Sequence, residues 1–145
     1  MRLLVFLLLV SGLALAASPA PRINHVAIHV TDLPASETFY LDVVGLERVP
    51  DPFNDDRHAW FALAPKILLH VIGGAKERTP KPKNAHLCLT VPSVDEFSAR
   101  LAQADAVHED LLGRKSAVTL RPDGVKQINF TDPDGHWIEI NDAKE

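Results

Sequence analysis

Three histidines and one glutamate stand at matching places in a sequence that repeats itself. His25 opens the run Ile23-Asn24-His25-Val26-Ala27-Ile28-His29-Val30, and His86 opens Ala85-His86-Leu87-Cys88-Leu89-Thr90-Val91. His70 lies within Leu68-Leu69-His70-Val71-Ile72, and Glu139 within Trp137-Ile138-Glu139-Ile140, each in the last apolar run of its half. Imidazole and carboxylate are the ordinary ligands of Zn²⁺, Ni²⁺, Mn²⁺ and Fe²⁺, so the four residues point to a divalent-metal site. The spacings, 45 residues from His25 to His70 and 53 from His86 to Glu139, are too long for a local metal clip. Repetition links them instead. If the halves are related by a pseudo-twofold axis, equivalent strand positions converge in pairs and the four side chains face a common point. Such a set leaves coordination positions for water or substrate on a metal that takes five or six ligands, which is an open, catalytic type of site.

The elements that must position these residues follow from periodicity. Residues 23–31 alternate, with His25, Ala27 and His29 on one face and Val26, Ile28 and Val30 on the other. Thr31-Asp32-Leu33-Pro34 breaks the strand and starts a helix, with Asp32 or Thr31 suited to its cap, Pro34 to its first turn and Gly45 to its stop. The segment 35–44 carries Phe39, Tyr40 and Val43 at helix spacing. Short strands are expected at 46–49, 58–63 and 67–72. The polar, proline-bearing stretch 75–84 reads as a linker. The second half repeats the order: a strand over 85–91, a helix over about 93–104, then strands near 107–112, 116–121, 125–131 and 136–141. Asp132-Pro133-Asp134-Gly135 is a strong turn signal between the last two. The expected architecture is α+β: module one at 23–74, linker 75–84 and module two at 85–142, each a βαβββ unit in an open, curved, mixed sheet.

Composition narrows the classes further. Arg2, the apolar run Leu3–Leu15 and the small-x-small site Ala14-Leu15-Ala16 form a secretory signal pattern over residues 1–16, followed by a flexible lead at 17–22. The expectation is export to the periplasm or beyond, with no membrane association after cleavage. Of 15 basic residues, removal of Arg2 leaves 14 against 19 acidic ones, a net charge of −5 that excludes a basic nucleic-acid footprint. Cys88 is the sole cysteine, so no internal disulfide forms, and its place between Leu87 and Leu89 reads as that of a small buried hydrophobe. Trp60, Phe61 and Trp137 read as core, and His58, His108 and His136 as ordinary core or surface histidines.

These motifs resemble the vicinal oxygen chelate superfamily, the group of glyoxalase I, extradiol dioxygenases, fosfomycin-resistance enzymes and bleomycin-resistance proteins. The resemblance is carried by His25-Val26-Ala27-Ile28-His29-Val30-Thr31-Asp32-Leu33, Phe39-Tyr40, Gly45-Leu46, Leu69-His70-Val71, the run 85–91, and Asp132-Pro133-Asp134-Gly135-His136-Trp137-Ile138-Glu139-Ile140. It implies paired βαβββ modules around a divalent metal held by the first and last strands of each module, at His25, His70, His86 and Glu139. It also implies a small-molecule substrate with vicinal oxygens, and a pairing of modules across a homodimer is common to the group. Bacterial glyoxalase I carries a carboxylate at the position of His70, so Glu139 is here the one matching carboxylate, a candidate ligand and catalytic proton shuttle. His25, His86 and Glu139 alone also form the two-histidine, one-carboxylate set of non-haem iron oxygenases. Three activities therefore stand open: a glyoxalase-like lyase or isomerase, an Fe²⁺ extradiol-type dioxygenase, and non-enzymatic small-molecule binding of the bleomycin-resistance kind. His29, two strand steps from His25 on the same face, is a candidate substrate contact.

Overall fold

A computed structural model describes residues 20–144. The signal-like segment 1–16 and the start of the 17–22 lead lie outside the described residues. The first half runs β1 (His25–Val30), α1 (Leu33–Thr38), a π-helical segment (Phe39–Val44), β2 (Glu47–Val49), β3 (His58–Ala64) and β4 (Ile67–Gly73). The second runs β5 (His86–Thr90), α2 (Val94–Gln103), β6 (Thr119–Leu120), β7 (Lys126–Thr131) and β8 (Trp137–Asn141). Each half folds into its own four-stranded sheet, ordered β1-β4-β3-β2 and β5-β8-β7-β6. In both, the first strand pairs in parallel with the last and lies at a sheet edge, while the remaining pairs are antiparallel. The duplication read from the sequence is therefore a duplication of topology.

The local causes are the expected ones. Asp32 caps α1 by accepting from Ala35 N at 3.0 Å, with Pro34 in the first turn. Ser93 caps α2 in the same way, accepting from Glu96 N at 3.2 Å. Gly45 ends the first helical stretch at φ +83°, and a Cβ there would come within 2.5 Å of Arg100 Nη1, so both its conformation and its space call for glycine. Two expectations are corrected. The helix begins at Leu33, directly after its Asp32 cap, but changes to π-helical winding from Phe39 onward. No strand spans 107–112: Glu109 alone bridges Asn129 on one side and Lys115 on the other, because the surrounding chain folds into turns.

One face of each sheet is apolar, carrying Val30, Ala59, Phe61, Leu69 and Val71 in the first half and Ile128, Phe130, Ile138 and Ile140 in the second. These residues join Tyr40, Val94, Phe97 and Leu101 in a single buried cluster. The two modules thus share one core, with Phe130 packed against Phe39 of the first half and Phe97 of the second. A polar tie crosses the same boundary. Tyr40 donates to Asp132 Oδ2 at 3.0 Å, and Thr31 N donates to Asp134 Oδ1 at 2.8 Å, so the Asp132–Gly135 turn of the second half is fastened to the first.

Candidate metal centre

The faces turned away from the core carry the candidate ligands. In the first sheet the register sets Ala27 beside His70 and His25 beside Leu68, and the His25 and His70 rings lie 5.9 Å apart between centroids. His70 is 7% exposed, and its Nε2 is buried without a hydrogen-bond partner. Burial, together with the nearby His58 and His25, holds its pKa below the ordinary histidine value, so it rests as a neutral imidazole, the form that binds metal. His25 Nδ1 is paired with Asn24 Oδ1 at 2.8 Å, which leaves Nε2 as the free ring nitrogen. Trp60, directly across from His70 in the register, stacks on it at 3.7 Å, and Phe53 from the 50–57 loop lies parallel to it at 6.0 Å.

In the second sheet Cys88 sits beside Glu139, and His86 Nε2 faces Glu139 Oε2 at 3.5 Å. His86 Nδ1 lies 2.8 Å from the Lys83 carbonyl, which only accepts; Nδ1 therefore carries the proton and donates it there. With Nδ1 so committed, Nε2 is the ring nitrogen that faces the carboxylate oxygen, and a proton or a cation between them would join the two. Two ligands about 2.1 Å from one tetrahedral ion stand roughly 3.4 Å apart, so the separation suits a shared divalent metal. The orphaned Nε2 of His70 likewise lacks a partner in the first sheet. The donor set fits such a metal.

The four residues are brought together two by two. Among the described residues, the grouping of three or more metal-capable side chains whose ligand atoms lie within 4.8 Å of one another is Asp51, Asp55 and His58, not His25, His70, His86 and Glu139. That loop cluster satisfies itself: Asp51 accepts from Phe53 N and Asp55 N, and Asp55 from Arg57 N and, at 2.7 Å, from His58 Nδ1. His29 lies elsewhere, lining a cavity of about 360 Å³ with Lys76, Lys81, Asp134 and His136.

Several residues at this face carry no local signal in the sequence. Cys88 is not a buried hydrophobe: it is exposed, donates to Glu139 Oε1 at 3.4 Å and accepts from Asn141 Nδ2 at 3.1 Å. Partial desolvation of its sulfur and the adjacent Glu139 push the thiol up to about 11, so it stays protonated. Phe61 lies in the shared apolar cluster and Trp60 is buried as well, though on the opposite face of its strand, against His70, while Trp137 is half-buried and its Nε1 donates to Lys81 O at 2.9 Å. Gln127, Asn129 and Asn141 surround Glu139. Asn129, directly across from it and 1% exposed, has both amide atoms without a partner. The pairing of β7 with β8, visible once register is known, brings Gln127 and Asn129 there, while Asn141 lies two residues along β8 on the same face.

The family model described as Glyoxalase/Bleomycin resistance protein/Dioxygenase superfamily matches residues 22–140. The chain belongs to this superfamily. The chain is 29% identical over 127 residues to the protein YwbC of Bacillus subtilis (strain 168), an alignment covering 83% of this chain and 97% of that one. Among solved structures of the superfamily fold, Oxidase ChaP-H1 is similar at a TM-score of 0.70 and 27% identity, covering 86% of this chain and 98% of that one. The lactoylglutathione lyase from Agrobacterium tumefaciens shares the fold at a TM-score of 0.64 and 22% identity, over 87% and 96% of the two chains.

Proposed function

We propose that this superfamily member is a divalent-metal-dependent, glyoxalase-like lyase or isomerase acting on a small substrate with vicinal oxygens, its site completed between two copies of the chain. In this reading His25 and His70 of one copy meet His86 and Glu139 of the other. The observation that carries it is the 3.5 Å approach of His86 Nε2 to Glu139 Oε2, with Nδ1 already committed to Lys83 O. The neutral, unpartnered His70 supports it, as does the absence of a four-residue cluster among the described residues of a single chain. A bound metal would act as a Lewis acid on the substrate's oxygens. Glu139 is the candidate proton acceptor, with a carboxylate oxygen directed toward the ligand side of His86. Trp60 stacks on the His70 ring and covers one of its faces. The dioxygenase reading is favoured by one observation, the likeness to a protein named an oxidase. Export belongs to the same proposal: the mature N-terminus of protein recovered from a periplasmic fraction should lie near Ala17, and an intact Met1 there would remove it.

The test is a mixing experiment read by metal content. One variant carries His25→Ala with His70→Ala, the other His86→Ala with Glu139→Ala. Each alone should hold no stoichiometric metal. After co-refolding, random exchange into twofold dimers restores about a quarter of the sites. Metal retained in either double variant alone would overturn the assignment of ligands. No recovery in a mixture shown to contain heterodimers would overturn the shared site. Iron in the wild-type protein, with oxygen uptake on catechols, would move the dioxygenase reading to the front.

A further inference from the structure

We infer that Gln127 and Asn141 are positioning residues for Glu139, a frame of side-chain amides that aims its carboxylate at the ligand side of His86. The inference rests on the reading that His86 and Glu139 hold a metal. Gln127 Nε2 donates to Oε2 at 3.1 Å, and Asn141 Nδ2 donates to Oε1 at 3.1 Å. The Cys88 thiol adds a weaker donor to Oε1 at 3.4 Å. These four residues and Asn129 sit on one face by register: Gln127 opposite Asn141, Asn129 opposite Glu139, and Cys88 beside Glu139. Gln127, Asn141 and Glu139 are each more than nine-tenths buried, so water does not compete for these bonds. Each oxygen thus receives an amide donor. A carboxylate bonded in this way has lost its free rotation, and its remaining lone pairs have fixed directions.

The duplication supplies the internal control. In the first sheet His58 lies opposite Ile72, Trp60 opposite His70, and Ala27 beside His70. The places held by Gln127, Asn141 and Cys88 around Glu139 are thus held by His58, Ile72 and Ala27 around His70. The neighbours of the imidazole include no amide, while those of the carboxylate include two that donate to it. An amide on a strand has no general advantage over isoleucine, because strands favour β-branched residues. The two halves diverge around the one position where a carboxylate replaces an imidazole. That is the pattern expected when the surrounding shell is fitted to its ligand.

The test compares wild type, Glu139→Ala, Gln127→Leu and Asn141→Ile. Zn²⁺ affinity is measured by chelator competition, and the visible spectrum of the Co²⁺-loaded protein reports ligand geometry. Loss of an outer-shell partner typically lowers metal affinity about 10- to 100-fold. Gln127→Leu and Asn141→Ile should each fall in that range and shift the Co²⁺ bands, and Glu139→Ala should lose the site. A purely structural role would lower the unfolding temperature without moving the Co²⁺ bands. Wild-type affinity and bands in a folded Gln127→Leu protein, beside a Glu139→Ala protein that binds no metal, would overturn the positioning role and leave the metal site standing. A Glu139→Ala protein that binds as wild type would overturn both. Asn141 also accepts from Thr90 and Ala143 N, so if Asn141→Ile fails to fold, Gln127→Leu decides the question.

Discussion

Replacing Tyr40 with phenylalanine removes one hydroxyl and tests the tie between the two modules. The ring contacts with Phe39 and Phe61, at centroid distances of 5.4 and 5.8 Å, are retained. What is lost is the 3.0 Å bond to Asp132 Oδ2. A hydrogen bond to a charged group contributes roughly 1.5–3 kcal/mol. Asp132 keeps three donors, His136 N, His136 Nδ1 and Asp134 N, at 2.8 to 3.0 Å, so the lower end applies and Tyr40→Phe should cost about 1.5 kcal/mol at pH 7. For a domain of this size that is a fall in Tm of roughly 5 °C. The loss should depend on pH. Burial alone would raise the Asp132 pKa, but its bonds to His136 and Tyr40 outweigh burial and hold it below the ordinary carboxylate value. A depressed carboxylate contributes stability that is present above its unfolded pKa and is lost as pH falls through the folded one. Tyr40→Phe weakens that depression, so the gap between variant and wild type should be full at pH 7 and shrink on acidification below about 4. Burial and Asp132 also raise the Tyr40 pKa, so its contribution should decline again as pH rises beyond roughly 10. Urea unfolding at pH 7 and at about pH 2.5, well below the ordinary carboxylate value, measures the loss and its decline on acidification, with unchanged m-value. A difference under about 0.5 kcal/mol at pH 7, or one undiminished at the lower pH, would show that this bond is not the tie between the modules.

Gly45→Ala should destabilise by roughly 1–2 kcal/mol, because its positive φ is strained for a residue with Cβ even if the flexible end of Arg100 moves aside; urea midpoints report it, and a neutral outcome would remove the strain argument. Leu101→Ala removes a fully buried side chain from the shared core and should cost about 2–5 kcal/mol in the same assay. Stripping metal with a chelator should lower Tm and move sedimentation toward the monomer. Metal at a hundred times its Kd contributes about 2.7 kcal/mol, so a chelator-insensitive Tm would count against a bound ion.

The sheet elements were legible because alternation and turn residues are local signals: β1, β5 and the Asp132–Gly135 turn fall within a residue or two of their expected bounds. The positions of His25, His70, His86 and Glu139 were legible because the repeat is. The π-helical winding after Phe39 was not, since helix-spaced apolar residues do not distinguish it from an α-helix. Glu109 looked like part of a strand because its neighbours include apolar residues, yet it pairs at a single point. Cys88 misled for a clearer reason. Flanking leucines say that neighbouring side chains are buried, and on a strand that places the cysteine on the opposite face. Gln127 and Asn141 gave no local sign, because the relation of each to Glu139 is cross-strand or two residues along the same face. Comparing the two halves position by position, at the sites flanking His70 and Glu139, is the signal that would have found them.

The edge location of β1 and β5 ties the solubility of this protein to its architecture. A strand at a sheet edge offers a row of unpaired backbone N–H and C=O groups, an open template for another strand. Here both edges are short, and each is the strand that carries a proposed metal ligand, His25 or His86. Selection acting on these strands therefore answers two demands: to present an imidazole, and to resist promiscuous β-pairing while the chain folds. A dimer contact that capped them would meet both at once. Weakening it would then show first as aggregation, ahead of any change in chemistry.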